Sequence, residues 1–329
     1  MTHILVTGAS GLTGGRLTRR LVEQGHRVRV LLRPSSKRAL LDDLPLETVF
    51  GDLAEPAHLP TDLMSGIETV YHVAAAWQAE NVPDHYFHTV NVEATDRLLH
   101  LARDAGVGRF VHSSTVGVQG EIRNPPATEE HPYNPGDHYQ RTKMEGELLA
   151  LKFFRDSGMA GTVVRPVGIY GPGDRRFLKL FRMIDRGRFR MIGNGKTLYH
   201  LTYIDDLVSG IILAGTKAEG VGEIFTIGGD GYLTLGELVE KIAAILGRTL
   251  PTCHIPALPV WLAGAVCELI CRPLGITPPI YRRRVDFFIK DRAFDIGKAK
   301  RLLGYSPQVS LDDGLQRTAA WYRREGWLD

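Results

Sequence analysis

The sequence predicts an α/β fold, a doubly wound parallel sheet with a smaller, interleaved C-terminal lobe. Two observations support this: short apolar runs alternate with longer amphipathic runs from residue 3 to residue 165, and the alternation stops after Pro166. Continuous apolar strands between helices indicate a parallel sheet covered on both faces. The predicted strands are His3–Thr7, Arg27–Leu32, Glu47–Phe50, Thr69–Val73, Arg109–Ser113 and Gly161–Arg165, and the predicted helices are Leu12–Gln24, Thr89–Ala105 and Tyr139–Ser157.

The pattern changes in the second half of the chain. Loops rich in Gly, Pro and Arg follow Pro166, and helical patterns cover Thr234–Leu246, Pro259–Cys271 and Leu311–Arg324. This irregular remainder predicts a lobe that interleaves with the sheet domain. We expect residues 1–168 and about 199–230 to form the sheet domain, and about 169–198 and 231–329 to form the lobe.

Composition and charge exclude several classes of protein. Of the 329 residues 43% are hydrophobic and 23% charged, as in soluble globular proteins. A net charge of +3 with scattered Lys and Arg does not indicate a nucleic-acid partner. The apolar run Ile255–Cys267 is too short to span a bilayer. We expect no signal peptide and a cytoplasmic location. We also expect no metal, because the histidines lack metal-ligand spacing. Weak binding of Pro259–Cys271 to a membrane surface is an alternative.

A glycine-rich turn joins the first predicted strand to the first helix. Gly8, Gly11 and Gly14 are spaced three apart, with Leu12 and Thr13 at the start of the helix. Glycines in this position allow a tight turn and a close backbone approach to a pyrophosphate, which then meets free N–H groups at the helix N-terminus. The arrangement is typical of a Rossmann-type dinucleotide-binding fold.

The end of the second strand bears on the choice of nucleotide. A site for NAD places an acidic residue there to bind the ribose 2′-hydroxyl. This chain has Leu32 followed by Arg33, with Lys37 and Arg38 close behind. An arginine can bind a 2′-phosphate through two hydrogen bonds. We therefore expect NADP(H) as the preferred cofactor, with NAD(H) as the alternative.

Tyr139 and Lys143 lie four residues apart on one face of a predicted helix. A phenol is a poor acid–base group at neutral pH, but a cation about 4 Å away near a protein surface stabilises a phenolate by roughly 4 kcal/mol. Such a tyrosine can give a proton to a carbonyl oxygen or take one from a hydroxyl. The pair is therefore a candidate catalytic site.

The GxxGxxG turn and the YxxxK pair together resemble the short-chain dehydrogenase/reductase superfamily. The length of the chain and its C-terminal lobe resemble the extended branch, the NAD-dependent epimerase/dehydratase superfamily. The resemblance implies that Tyr139 is the general acid/base, that Lys143 also binds the nicotinamide ribose, and that Thr115 binds the substrate oxygen, with Ser114 as the alternative. It implies a homodimer through the helices at 89–105 and 139–157. It also implies cofactor contacts at Asp52, Leu53, Ala74, Ala75, Pro166 and Gly168.

The substrate is a small molecule of one of two kinds. Nucleotide-sugar enzymes of the branch carry an Asn in RPxNxYGP and an Arg seven residues before the second Asp of an Asp-Asp pair; this chain has Gly168 and Tyr199 there. The motifs are closer to 3β-hydroxysteroid dehydrogenases and dihydroflavonol reductases, which implies a hydride transfer between the nicotinamide and a ketone or secondary alcohol on a fairly apolar substrate. A nucleotide-sugar epimerase or dehydratase with tightly bound NAD(P) is the alternative.

The sequence also offers candidates for the substrate pocket. Apolar lining is expected from Ile255–Cys271, Pro278–Ile280 and Phe287–Phe288. The candidate substrate residues are Trp77, Tyr170, Tyr199 and Tyr203.

A third class is a cofactor-binding sensor that has lost catalysis. The intact set of Thr115, Tyr139 and Lys143 argues against it.

Overall fold

The computed structural model describes residues 1–77, 82–251, 254–271 and 282–328. Its strands are β1 (His3–Thr7), β2 (Arg27–Leu32), β3 (Glu47–Phe50), β4 (Thr69–His72), β5 (Arg109–Ser113), β6 (Gly161–Pro166), β7 (Gly168–Tyr170), β8 (Met191–Ile192), β9 (Leu198–Tyr203), β10 (Ile224–Ile227), β11 (Tyr232–Thr234) and β12 (His254–Ile255). Its α-helices are α1 (Leu12–Glu23), α2 (Asp84–His88), α3 (Ala94–Asp104), α4 (His138–Ser157), α5 (Leu178–Asp185), α6 (Ile204–Thr216), α7 (Leu235–Leu246), α8 (Ala257–Cys271), α9 (Arg282–Ile289) and α10 (Leu311–Arg324).

Seven strands form one parallel sheet in the order β10-β6-β5-β4-β1-β2-β3. The chain runs outward from β1 in one direction through β2 and β3, and from β4 in the other direction through β5 and β6. The strand order therefore reverses between β1 and β4, which is where an open α/β sheet forms a ligand crevice. The predicted fold class is confirmed.

Helices cover both faces of the sheet, as its continuously apolar strands require. One buried cluster lies among the sheet, α1, α6, α7 and α10, and a second lies among the sheet, α3 and α4. β9 joins β7 and β11 in a separate three-stranded sheet. The two-part division of the chain and the homodimer stay predictions. None of the described helices is both long and apolar enough to cross a membrane.

One helical boundary differs from its prediction. The helix expected from Thr89 begins at Asp84 in α2 and passes through a π-helical turn, Thr89–Glu93, before α3. The early turn contains His, Tyr and Phe, which have only moderate helix propensity, so the sequence gives no clear start signal there. Burial of Val90, Asn91 and Val92 stabilises the run instead.

Two buried histidines lie side by side beneath the crevice. The His72 ring packs 5.4 Å from the His112 ring, and hydrogen bonds of 2.8 and 3.0 Å join its two nitrogens to Thr7 Oγ1 and Thr95 Oγ1. The Thr95 hydroxyl donates to Asn91 O, so it accepts from His72 Nε2–H. The Thr7 hydroxyl accepts from the Ala74 N–H, so it donates to Nδ1, and the ring fits the network in its neutral form. Burial, with the Lys143 charge as a second cause, lowers the pKa of His72 to about 3 and lowers that of His112 well below its usual range.

These histidines predict acid sensitivity. Below pH 6.5 the unfolded chain binds protons at both positions and the folded chain does not, down to about pH 3 at His72, so the free energy of unfolding falls as the pH is lowered. Each histidine contributes a slope of about 1.4 kcal/mol per pH unit. We expect urea titrations from pH 6.5 to pH 4 to show a free energy of unfolding that falls with this slope. In His72→Gln the slope is expected to be smaller by the contribution of one proton. His58→Gln, at an exposed histidine, serves as the control, and an unchanged slope in His72→Gln contradicts the assignment.

Candidate active site

A cavity of about 770 Å³ opens at the carboxyl ends of the central strands. The turn after β1, the ends of β2, β4, β5 and β6, and the first turns of α4 all contribute to its wall. This is the crevice that the reversal of strand order predicts. The predicted site residues that line it are Gly8, Gly11, Leu12, Thr13, Gly14, Arg33, Asp52, Leu53, Ala74, Ala75, Trp77, Ser114, Thr115, Tyr139, Lys143, Pro166 and Gly168.

The glycine turn has no room for side chains. Gly8 has φ +77°, and a Cβ there would lie 2.7 Å from the Ala74 nitrogen; a Cβ on Gly14 would lie 2.2 Å from Gly8 O. The Gly11 N–H donates to Gly8 O at 3.0 Å and closes the turn. In the described part of the chain no side chain caps α1, and its first turn has no acidic residue. Its first N–H groups therefore face the cavity without a competing anion, which fits a dinucleotide pyrophosphate.

The end of β2 forms the wall that is expected to hold the adenosine half of the dinucleotide. Leu32 is buried in the core, and Arg33 is exposed and lines the cavity. The Arg33 N–H donates to Ser36 Oγ at 3.1 Å, which brings Ser36 to the same wall. Asp52 accepts a hydrogen bond from the Ala54 N–H at 2.9 Å. Lys37 is not among the described residues that line the cavity.

The opposite wall holds the candidate catalytic group. The Asp137 side chain caps α4 by accepting from the Gln140 N–H, so Tyr139 lies in the first turn and Lys143 one turn further along. The Lys143 side chain is buried, and its Nζ donates to Ser113 O at 2.7 Å. Burial lowers the pKa of Lys143 to about 8, opposed by the charge of Glu147. The ammonium is therefore present at neutral pH and is lost as the pH rises through about 8.

The two candidate hydroxyls after β5 have different partners. The Thr115 Oγ1 accepts from the Gly117 N–H at 3.1 Å, so its own proton remains for a donor role toward the cavity. The Ser114 hydroxyl donates to the buried carboxylate of Glu147. Glu147 also accepts from Tyr133 at 2.7 Å and from Arg165. Ser114 thereby holds the end of β5 against α4.

The candidate substrate residues separate into two groups. Trp77 lines the cavity, with the Arg176 guanidinium 5.5 Å from its ring centroid. Tyr170 and Tyr203 are buried against each other with their rings 5.7 Å apart, and neither they nor Tyr199 are among the described lining residues. These three side chains belong to the larger buried cluster, because the small sheet turns them toward the core of the lobe.

The apolar segments also lie elsewhere. The described residues of Ile255–Cys271 and Phe287–Phe288 are not among those that line the cavity. Phe287 packs 4.8 Å from the Tyr199 ring, and α8 exposes Leu258, Val266 and Leu269. Pro278–Ile280 lies outside the described residues.

Three contributions to the site were not predicted from the sequence. Ser36 follows Arg33 by three residues. This spacing is typical of a turn, so the sequence itself indicates that Ser36 lies beside Arg33. Glu147 lies one turn after Lys143 on the buried face of α4, a position in which a charge requires a partner. Arg292 lines the cavity from a segment almost at the opposite end of the chain, and no local pattern marks it.

The fold and the site define a dinucleotide-dependent enzyme with a Rossmann-type sheet. A family model described as "NAD dependent epimerase/dehydratase family" matches residues 4–228. The chain belongs to this family, the extended branch of the short-chain dehydrogenases/reductases, and is an oxidoreductase of the NAD(P)-dependent type.

Several known proteins are similar to it along nearly their whole length. The 2-alkyl-3-oxoalkanoate reductase of Stenotrophomonas maltophilia is 31% identical over 96% of this chain and 98% of its own. The 3-beta-hydroxysteroid dehydrogenase of Mycolicibacterium neoaurum is 30% identical over 97% and 90%. Among solved structures, gox2253 has a TM-score of 0.85 at 28% identity over 100% of both chains. DesIV, a dTDP-glucose 4,6-dehydratase from Streptomyces venezuelae with NAD and TYD bound, has a TM-score of 0.77 at 29% identity over 99% of both.

Proposed function

We propose that this protein transfers a hydride between NADP(H) and a ketone or secondary alcohol on a fairly apolar small molecule. The observation that carries the proposal is the convergence on one cavity of the glycine turn, the Thr115 hydroxyl, Tyr139 and the buried Lys143. A pyrophosphate on the glycine turn and a carbonyl beside Tyr139 occupy the two ends of this cavity. The names of the Stenotrophomonas reductase and the Mycolicibacterium dehydrogenase support a ketone or alcohol as the substrate.

The mechanism assigns one task to each residue of the group. When bound, the nicotinamide supplies a hydride to the carbonyl carbon or accepts one from the alcohol. Thr115 donates a hydrogen bond to the substrate oxygen. Tyr139 gives its proton to the same oxygen as negative charge develops on it. Lys143, held by Ser113 O, stabilises the phenolate that remains. Because the Ser114 hydroxyl is committed to Glu147, Thr115 is the better candidate of the two hydroxyls.

Arg33 and Ser36 support the preference for NADP(H). Both line the wall next to the end of β2, where the buried Leu32 replaces the carboxylate of an NAD site. We expect Arg33→Asp to raise the KM for NADPH by about 10²-fold and to lower the KM for NADH, because it removes a charged partner of the 2′-phosphate worth up to about 3 kcal/mol. Steady-state rates with each cofactor measure the change.

Arg38→Asp is the matched control for this prediction. It places the same charge change in the same loop, on a residue that is not among the described lining residues. An Arg33→Asp variant with an unchanged ratio of NADPH to NADH efficiency contradicts the assignment.

The alternative is a nucleotide-sugar epimerase or dehydratase with tightly bound NAD(P), which the similarity to DesIV favours. Gly168 and the buried Tyr199 oppose it, because a diphosphate needs charge-assisted partners that these residues do not supply. A screen that follows NADPH absorbance over apolar ketones, β-keto acids, flavonoid-like ketones and NDP-keto-sugars separates the two. Stoichiometric NADPH consumption with a ketone supports the proposal. Conversion of a nucleotide sugar without net cofactor change overturns it.

A further inference from the structure

Four arginines line the cavity in the described part of the chain: Arg33, Arg175, Arg176 and Arg292. Arg33 lies at the end of β2, on the wall assigned to the nucleotide. Arg176 is paired with Asp174 at 2.6 Å, and the Arg175 guanidinium lies 4.7 Å from the centroid of the Trp327 ring. Arg292 differs from these three because it is half-buried and its guanidinium donates a hydrogen bond to a tyrosine hydroxyl.

The Arg292 side chain has only neutral partners among the described residues. Its Nη1 donates to the Tyr199 hydroxyl at 2.8 Å, and its guanidinium lies 5.7 Å from the centroid of the same ring. No carboxylate of the described residues lies within ion-pair distance of it. A half-buried guanidinium has five N–H donors, so most of them remain for a ligand. A cation held in this way favours an anion in the cavity that it lines.

Backbone contacts fix Arg292 beside β9 and beside the segment that follows Thr115. Its N–H donates to Leu198 O at 2.9 Å, and its carbonyl accepts from the His200 N–H at 2.9 Å. The preceding carbonyl, that of Asp291, accepts from the Ile122 N–H at 3.1 Å, in the segment that follows Thr115. The Tyr199 hydroxyl is itself held, because it donates to Phe287 O. The guanidinium is therefore ordered before any ligand binds, which lowers the entropic cost of binding.

We propose that Arg292 binds the carboxylate of the substrate, and that the substrate is an oxo acid: a ketone with a nearby carboxylate and an apolar remainder. Arginine pairs with a carboxylate through two parallel hydrogen bonds, which orient the carbonyl as well as binding the acid. Val116, Val167, Ile169 and Trp77 supply apolar walls for the remainder. The name of the Stenotrophomonas relative, a 2-alkyl-3-oxoalkanoate reductase, denotes this chemical class for that protein. The inference rests on the proposed function and narrows its substrate.

A charged and an uncharged form of one carbon skeleton test the proposal. The substrates are 3-oxododecanoate and its methyl ester, each reduced with NADPH by the full chain. We expect the wild-type protein to favour the acid, and Arg292→Met to lower kcat/KM for the acid by about 10²-fold while changing that for the ester less than about threefold. Arg292→Lys keeps the charge without the planar fork, so it recovers part of the loss. Arg190→Met, at an arginine bonded to carbonyls of its own loop, leaves both rates unchanged.

A binding measurement separates this proposal from the proposed function. Calorimetric titration of 3-hydroxydodecanoate into the protein with NADP⁺ follows the acid without turnover, and Arg292→Met is expected to weaken its binding by about 10²-fold. Equal effects of Arg292→Met on acid and ester, or unweakened binding of the hydroxy acid, overturn the role of Arg292 even if ketones are reduced. Absence of turnover with every ketone, while Arg292-dependent binding persists, overturns the proposed function and supports the carboxylate site.

Discussion

Replacing Tyr139 by Phe is expected to lower kcat for ketone reduction by about 10³-fold. The substitution keeps the aromatic ring and removes the phenol hydroxyl, the group proposed to give the proton to the substrate oxygen. The glycine turn, the end of β2 and the Lys143–Ser113 contact are unchanged, so binding of NADPH is expected to stay within about twofold of the wild type. Steady-state kinetics measure the first effect, and fluorescence titration with NADPH measures the second.

Tyr232→Phe is the matched control for this variant. It removes the hydroxyl of an exposed tyrosine that is not among the described lining residues, and it is expected to change neither quantity. Turnover of Tyr139→Phe within tenfold of the wild type would show that the proton comes from another group. A large loss of NADPH affinity would show that Tyr139 acts mainly in cofactor binding.

Replacing Glu147 by Ala is expected to lower the free energy of unfolding by about 3–5 kcal/mol. Glu147 and Arg165 are 0% and 1% exposed, and the carboxylate accepts hydrogen bonds from Arg165, Tyr133 and Ser114. Its removal leaves the Arg165 guanidinium buried without a counter-charge and leaves two hydroxyls without their acceptor. Urea unfolding at pH 7, with folded and unfolded fractions followed by fluorescence, measures the loss.

A double variant tests the cause of that loss. Glu147→Met with Arg165→Met removes both charges and fills the space with flexible apolar side chains, so most of the stability is expected to return. Lys152→Ala breaks an exposed ion pair with Asp156 on the same helix and is expected to cost at most about 1 kcal/mol. If Glu147→Ala costs as little as Lys152→Ala, the buried pair does not stabilise the junction of α4, β5 and β6.

Local patterns predict the large sheet well, because each of its features depends on neighbouring residues. Continuous apolar runs located six of its seven strands, and His3–Thr7 and Arg109–Ser113 have the predicted bounds. The short strands β7 and β8 were not predicted. Runs of two or three residues are too short to show a periodicity, and their pairing depends on β9 and β12, which lie far away in the sequence.

The same distinction holds for the site. The glycine turn, Thr115 and the pair of Tyr139 and Lys143 each act through a spacing within one strand end or one helix, so the sequence alone identifies them as candidates. The candidate substrate tyrosines are identified by their position in a motif, and a motif does not show the direction in which the small sheet turns their side chains. In the structure Tyr170 and Tyr203 lie in the core and do not line the cavity.

The sequence by itself therefore determined the fold class and identified the glycine turn and the candidate proton-transfer pair, because turn geometry and helical periodicity are short-range properties. Only the tertiary structure showed that Glu147 engages the Ser114 hydroxyl after β5, and that Arg292 lines the cavity with a tyrosine hydroxyl as its partner. Arg292 meets Tyr199 across 93 positions of sequence, and Glu147 meets Ser114 across 33. Contacts of this kind depend on how packed elements bring distant segments together, which no local spacing records.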